Sequence, residues 1–179
     1  MGLSSSNSEL YIGIDETNCG RFPEIYVAAF SNLKKDSYSR QFRLKKRRND
    51  HNSLWGRLSR RGYSFLFLSK SDHERISKRD FLWTVIASLS EDTLEEMKEV
   101  EKTSFIIDGE VLNSRLAYTR DSLAEYLSLG RNRLEVIAGA KYDEIYPIVN
   151  LADEIAHVLF RHSTPEKLSR NKHKKNLIL

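Results

Sequence analysis

Strand-type runs fill the first part of this 179-residue chain, and strands alternating with helical stripes fill the rest. That order restricts the fold more than any single motif. Leu10-Tyr-Ile-Gly-Ile-Asp15 is an apolar run closed by an acid, the pattern of a buried strand. Glu24-Ile-Tyr-Val-Ala-Ala-Phe30, opened by Pro23, reads as a second strand. Tyr38-Ser-Arg-Gln-Phe-Arg-Leu44 alternates and reads as a third, and Tyr63-Ser-Phe-Leu-Phe-Leu68 as a fourth. Phe81, Leu82, Val85, Ile86 and Leu89 then recur at helical spacing, and Leu94 and Met97 extend the stripe after a break at 90–93. Ser104-Phe-Ile-Ile-Asp108 and Leu134-Glu-Val-Ile-Ala138 are further strands, separated by helical pattern over 112–127. Ile145, Ile148, Val149, Ala152, Ile155, Ala156 and Leu159 make the stripe of a final helix, with Asp143 at its opening. The sum is an α/β chain with a mixed central sheet flanked by helices. The expected organisation is a disordered tail over 1–8, one domain over 9–163 and a basic tail over 164–179.

Composition narrows the function classes. The single cysteine, Cys19, excludes an intrachain disulfide and argues against a zinc finger. No apolar run approaches the ~18 residues of a membrane span. The first residues lack the basic and apolar regions of a secretory signal. A cytoplasmic protein with no membrane partner is expected, and its protein partners cannot be read. Lys+Arg number 29 against 25 Asp+Glu, a net charge of +4, but the charge is unevenly placed. Arg43, Lys45, Lys46, Arg47 and Arg48 crowd one stretch, and 161–179 is basic as well. Clustered cations beside Trp55, Tyr63 and Phe65 suit a nucleic-acid partner. The plainer reading is a solvated basic loop.

Carboxylates in apolar company carry the chemistry. Asp15 and Glu16 follow Tyr11-Ile-Gly-Ile14, Asp108 follows Phe105-Ile-Ile107, and Asp143 precedes the Ile145 stripe. Strand C-termini in open α/β sheets are where ligands bind. Acids converging there repel one another, and a divalent cation relieves that repulsion. Oxygen donors without His or Cys favour Mg²⁺ or Mn²⁺ over zinc. Two such ions about 4 Å apart are the standard equipment for phosphodiester hydrolysis. Taken singly, Asp108-Gly109 is an ordinary turn pair and Asp143 an ordinary cap. Successive strand residues face opposite sides, so Asp15 and Glu16 share a site only where the strand ends, twists or bulges.

Asp15-Glu16, Gly20-Arg21, Asp108-Gly109 and Lys141-Tyr-Asp143-Glu-Ile-Tyr-Pro-Ile-Val149 together resemble the type 2 ribonuclease H (RNase HII-like) family. In that family the first strand ends in Asp-Glu-Ala-Gly-Arg-Gly, a later strand ends in aspartate, and a Lys-X-Asp segment opens the helix carrying the last acid. The resemblance covers roughly residues 10–162. It implies a ribonuclease H-like fold and a nuclease using two Mg²⁺ or Mn²⁺ ions held by Asp15, Glu16, Asp108 and Asp143. It implies RNA as the substrate, in an RNA–DNA hybrid or other duplex. Gly20 and Arg21 would contact the backbone beside the scissile phosphate, and Lys141 would be an electrostatic partner. Phe22 would block the approach to the sugar or stack on a base. The basic stretch 43–61, with Arg43, Lys45, Lys46, Arg47 and Arg48, would track the second strand.

Three features depart from the family. Thr17-Asn18-Cys19 stands where one small residue is usual, Phe22 replaces the second glycine, and the family's C-terminal tyrosine segment has no counterpart. The glycine-rich turn lets backbone approach the ribose, so single-ribonucleotide specificity is expected to change. Asp153 is an alternative metal ligand, as in resolvase-like DNA nucleases whose last acid lies within a helix. Ten residues along one unbroken helix would carry it about 15 Å from Asp143, so both could not serve one site. A catalytically inactive nucleic-acid-binding module of the same fold is the remaining alternative.

Overall fold

The computed structural model describes residues 8–17, 21–37, 62–162 and 171–178. The strand expected over 38–44, the basic residues Arg43, Lys45, Lys46, Arg47 and Arg48, and Gly20 lie outside the described residues.

Six strands form one sheet: β1 (Glu9–Thr17), β2 (Glu24–Ser31), β3 (Gly62–Leu68), β4 (Lys102–Asp108), β5 (Leu134–Gly139) and β6 (Lys174–Lys175). Their spatial order is β5-β4-β1-β2-β3-β6. The hairpin-like pairs β1–β2 and β2–β3 are antiparallel. The crossover pairs β1–β4, β4–β5 and β3–β6 are parallel. The sheet is thus mixed, as a run of β elements followed by alternating β and α requires.

Among the described residues, five helices cover the sheet: α1 (Lys70–Arg75), α2 (Phe81–Leu89), α3 (Leu94–Glu99), α4 (Asn113–Tyr126) and α5 (Pro147–His162). Alternation along the strands sorts the core into two layers. Leu10, Ile12, Ile14, Ala28, Phe105 and Ile107 face α2, α3 and α4. Val27, Ala29, Phe65 and Ile106 face α5. A Cβ on Gly13 would lie 2.5 Å from the Ile148 carbonyl carbon, so α5 crosses β1 backbone to backbone there. Only glycine permits that approach.

Four departures from the sequence reading affect the site. First, β1 runs on to Thr17 instead of ending at Asp15, because β2 continues to pair with it through Glu16↔Tyr26 and Thr17↔Ile25. Second, α5 starts at Pro147, and Asp143 sits on a separate 3-10 turn, Tyr142–Glu144. Proline suits a first helical position, since it lacks the N–H that would be orphaned there. Third, α1 has no apolar stripe to announce it. Ser69 and Asp72 close a reciprocal capping box around its first turn, and none of its residues is buried. Fourth, residues 171–178, which the sequence assigns to a tail, dock on the sheet. Phe65 donates its N–H to the His173 carbonyl at 3.0 Å, and the Ile178 N–H reaches Ser88 Oγ at 3.0 Å. Leu177 and Ile178 pack against the core, and Lys175 pairs with Asp92. These contacts satisfy the β3 edge that an unpaired strand would leave open.

Candidate active site

Asp15 and Asp108 stand side by side at one end of two neighbouring parallel strands. Ile14 pairs with Ile107, and the next residue on each strand is the acid. Both acids therefore project to the α5 side, opposite Ile14 and Ile107. Asp108 Oδ1 accepts the Tyr142 N–H at 2.6 Å and the Asp143 N–H at 3.4 Å. That carboxylate pins the turn carrying Asp143, so strand end and turn are built as one unit. Asp153 enters from α5.

The electrostatics follow from this packing. Asp15 is only 7% exposed. Burial, then the charge of Asp153, then Asp108 and Asp143 lift its carboxyl from the ordinary 3.8 to about 8, against a lowering contribution from the Glu16 N–H. The Glu16 N–H donates to Asp15 Oδ1 at 2.7 Å. Burial, then Asp108 and Asp153, also raise Asp143. Four aspartates thus share one field. The helix is not continuous from Asp143 to Asp153: Asp143 lies on the 3-10 turn before Pro147.

Glu16 takes the other face. Its strand partner is Tyr26, whose hydroxyl donates to Glu24 Oε2 at 3.1 Å. Burial first, then Glu16 and Glu24, push the Tyr26 hydroxyl far above its ordinary range, so it stays protonated. Glu24 is buried, and His73 Nε2 lies 3.7 Å from its Oε2. His73 lies against Phe81, ring centroids 4.4 Å apart, and Phe22 meets it edge-on at 5.7 Å.

The remaining expected site residues scatter. Lys141 adopts a left-handed backbone at φ 63, and its Nζ lies 3.9 Å from Glu144 Oε1. Arg21 and Phe22 are exposed at the entry to β2. The sequence alone suggests solvated or core-edge histidines, and the side chains of His157 and His73 are both substantially exposed. His157 pairs with Asp153 at 2.9 Å one helical turn away, and His73 lies by Glu24 through tertiary packing.

Donor chemistry fits a hard divalent cation. The neighbouring charges acting on Asp15 are all carboxylates, and each offers oxygen alone. Among the described residues, no three His, Cys, Asp or Glu side chains are grouped tightly enough to hold an ion as they stand. No helix among the described residues is long and apolar enough to cross a membrane.

A mixed sheet with helices on both faces and acids at the ends of its central parallel strands defines a ribonuclease H-like fold. Two solved structures share it. One is RNase HII from Archaeoglobus fulgidus in complex with PCNA, at 20% identity and a TM-score of 0.52, covering 83% of this chain and 71% of that one. The other is a mutant of Bst-RNase HIII, at 17% identity and a TM-score of 0.53, covering 92% of this chain and 54% of that one. This chain spans about half the length of the second. No family model and no curated protein matches the sequence.

Proposed function

We propose that this protein is a metal-dependent endonuclease that hydrolyses phosphodiester bonds of RNA, in an RNA–DNA hybrid or other duplex. One observation carries the reading: Asp15, Asp108, Asp143 and Asp153 come from four separate segments into one electrostatic field at the end of the central strands. Residues that served only as turn formers or caps would have no reason to converge. Asp15, Asp108 and Asp143 would hold Mg²⁺ or Mn²⁺. Glu16, expected from the sequence as a fourth ligand, lies by Tyr26 on the other face and would have to turn to join them. Two such ions supply an activated water and offset charge on the leaving oxygen. The protein's own part is positional. Asp108 fixes the Asp143 turn, and the Asp15 carboxylate accepts the Glu16 N–H. Arg21 would meet the backbone beside the cut, with Gly20 and Lys141 near it. A cytoplasmic location belongs to this reading, on composition.

A second reading keeps the fold and changes the ligand set. Asp153 is the neighbouring charge that acts most strongly on Asp15, ahead of Asp108 and Asp143. In this reading Asp153 is the last ligand, in the manner of a resolvase-like DNA nuclease. One experiment separates the readings. Labelled RNA–DNA hybrid, double-stranded RNA and four-way DNA junctions are incubated with the protein and Mg²⁺, Mn²⁺ or chelator. Metal-dependent cleavage of the RNA strand, lost in Asp108→Asn and Asp143→Asn, supports the first. Cleavage of junctions, lost in Asp153→Asn and kept in Asp143→Asn, supports the second. Retention of labelled duplex without cutting under any ion leaves a binding module.

A further inference from the structure

An aromatic chain runs from the surface at the entry to β2 inward to Tyr26, in the core layer opposite the one Asp15 and Asp108 face. Phe22, 41% exposed, meets His73 edge-on with centroids 5.7 Å apart. His73 lies nearly parallel to Phe81, at 4.4 Å and 32°. Phe81 meets Tyr26 at 5.9 Å, and Tyr26 is the cross-strand partner of Glu16, next to Asp15. Three of these rings are anchored. Tyr26 is buried and hydrogen-bonded to Glu24, His73 is held toward the same buried carboxylate, and Phe81 is partly buried in the core. The outermost ring leaves much of its surface to solvent.

A large exposed aromatic ring backed by fixed rings is a poor arrangement for solubility and a good one for stacking. Every nucleobase presents a π-face, and stacking on such a ring needs no base-specific hydrogen bond. Arg21 is exposed immediately before Phe22, so a cation for the adjoining phosphate stands next to the ring. A base inside a duplex keeps both faces stacked on its neighbours and cannot use the platform. We infer that Phe22, backed by His73 and Phe81, is a stacking platform for an unpaired nucleobase at the entry to β2. The substrate would then carry a bulged, looped or single-stranded nucleotide. This inference rests on the nuclease reading above for the identity of the strand, and it narrows that reading's substrate class.

The test uses the full chain in calcium buffer and two RNA–DNA duplexes of the same sequence. One is fully paired; the other carries a fluorescent adenine analogue as an unpaired bulge. The wild type should bind the bulged duplex more tightly and quench the analogue. Phe22→Leu should weaken bulge binding about tenfold, within the range expected for removing one stacked base, and abolish the quench. The loss for the fully paired duplex should be several-fold smaller than for the bulged one. Phe22→Trp should keep both affinity and quench, and melting curves should show both variants folded. Equal binding of the bulged duplex by Phe22→Leu and wild type would overturn the platform. So would an equal loss for both duplexes. Cleavage in Mg²⁺ or Mn²⁺ is read separately. Quenching without cleavage keeps the platform and removes the nuclease, whereas cleavage without quenching removes the platform and keeps the nuclease.

Discussion

Asp15 joins most of the threads at the scale of single residues. Its carboxyl is buried and faces three other aspartates, and its folded-state value lies near 8 against an ordinary 3.8. The linkage sign follows directly. The folded chain holds this proton over a range where the unfolded chain has released it. The stabilisation is therefore full below the unfolded value and is lost as pH climbs through the folded one. Melting in chelator should become easier as pH rises from about 4 to 8, and Asp15→Asn should flatten that slope. A slope unchanged in Asp15→Asn would mean that other groups set it. Mg²⁺ should reverse the trend in the wild type, because a bound cation favours the ionised carboxylates. These acids are legible in the sequence because each follows an apolar run, whereas Asp108 and Asp143 owe their joint placement to hydrogen bonds no sequence displays. Glu16 is harder. Whether it shares a side with Asp15 turns on where β1 ends, and the β2 ladder extends that strand to Thr17.

Elements set how closely these residues meet. Helix α5 lies on β1 with the Ile148 carbonyl against Gly13, and that approach fixes how far Asp153 stands from Asp15. Gly13→Ala would drive a methyl group into backbone at 2.5 Å, which a rotamer change cannot relieve. We expect a loss of about 1–3 kcal/mol, as for other overpacked cores, and weaker Mg²⁺ binding by titration calorimetry. An unaltered melting temperature would show that α5 can slide without cost. A glycine within an apolar strand run is a legible sign of close backbone approach, yet nothing in the run says which segment approaches. The same limit applies elsewhere. Apolar periodicity marks α2, α4 and α5, since each buries a stripe. It misses α1, which buries no residue and is closed by a side-chain box at Ser69. The docked segment 171–178 is hidden too. Its basic residues suggest a solvated tail, whereas its backbone pairs with β3 and only Leu177 and Ile178 supply apolar cover.

On the proposed reading of the whole molecule, chemistry and recognition belong to different parts of the chain, and they should separate experimentally. The acids lie on strand ends and on α5, inside the described fold. The strongest cationic run, Arg43 to Arg48, belongs to the stretch outside it. Neutralising Arg47 and Arg48 should weaken binding to all sequences alike. The salt dependence should fall by roughly 0.9 for each DNA phosphate that is no longer neutralised, and metal affinity should stay constant. An unchanged slope would return this run to a solvated role. Substrate choice follows the same division. In the family this sequence resembles, a glycine-rich turn brings backbone against the ribose of a lone ribonucleotide. Here Phe22 stands in that turn, exposed, with two extra residues before it. On the proposed reading a ring at this position would keep the backbone from the sugar and offer a surface to a base instead. A duplex with one embedded ribonucleotide should therefore be cut no faster than one with a run of four or more. Single-turnover rates on the two duplexes decide it, and a strong preference for the lone ribonucleotide would show that Gly20 and Arg21 suffice. Phe22→Gly should shift the ratio of the two rates toward the single ribonucleotide while leaving Mg²⁺ affinity where it was, because residue 22 contributes no oxygen to the aspartate cluster.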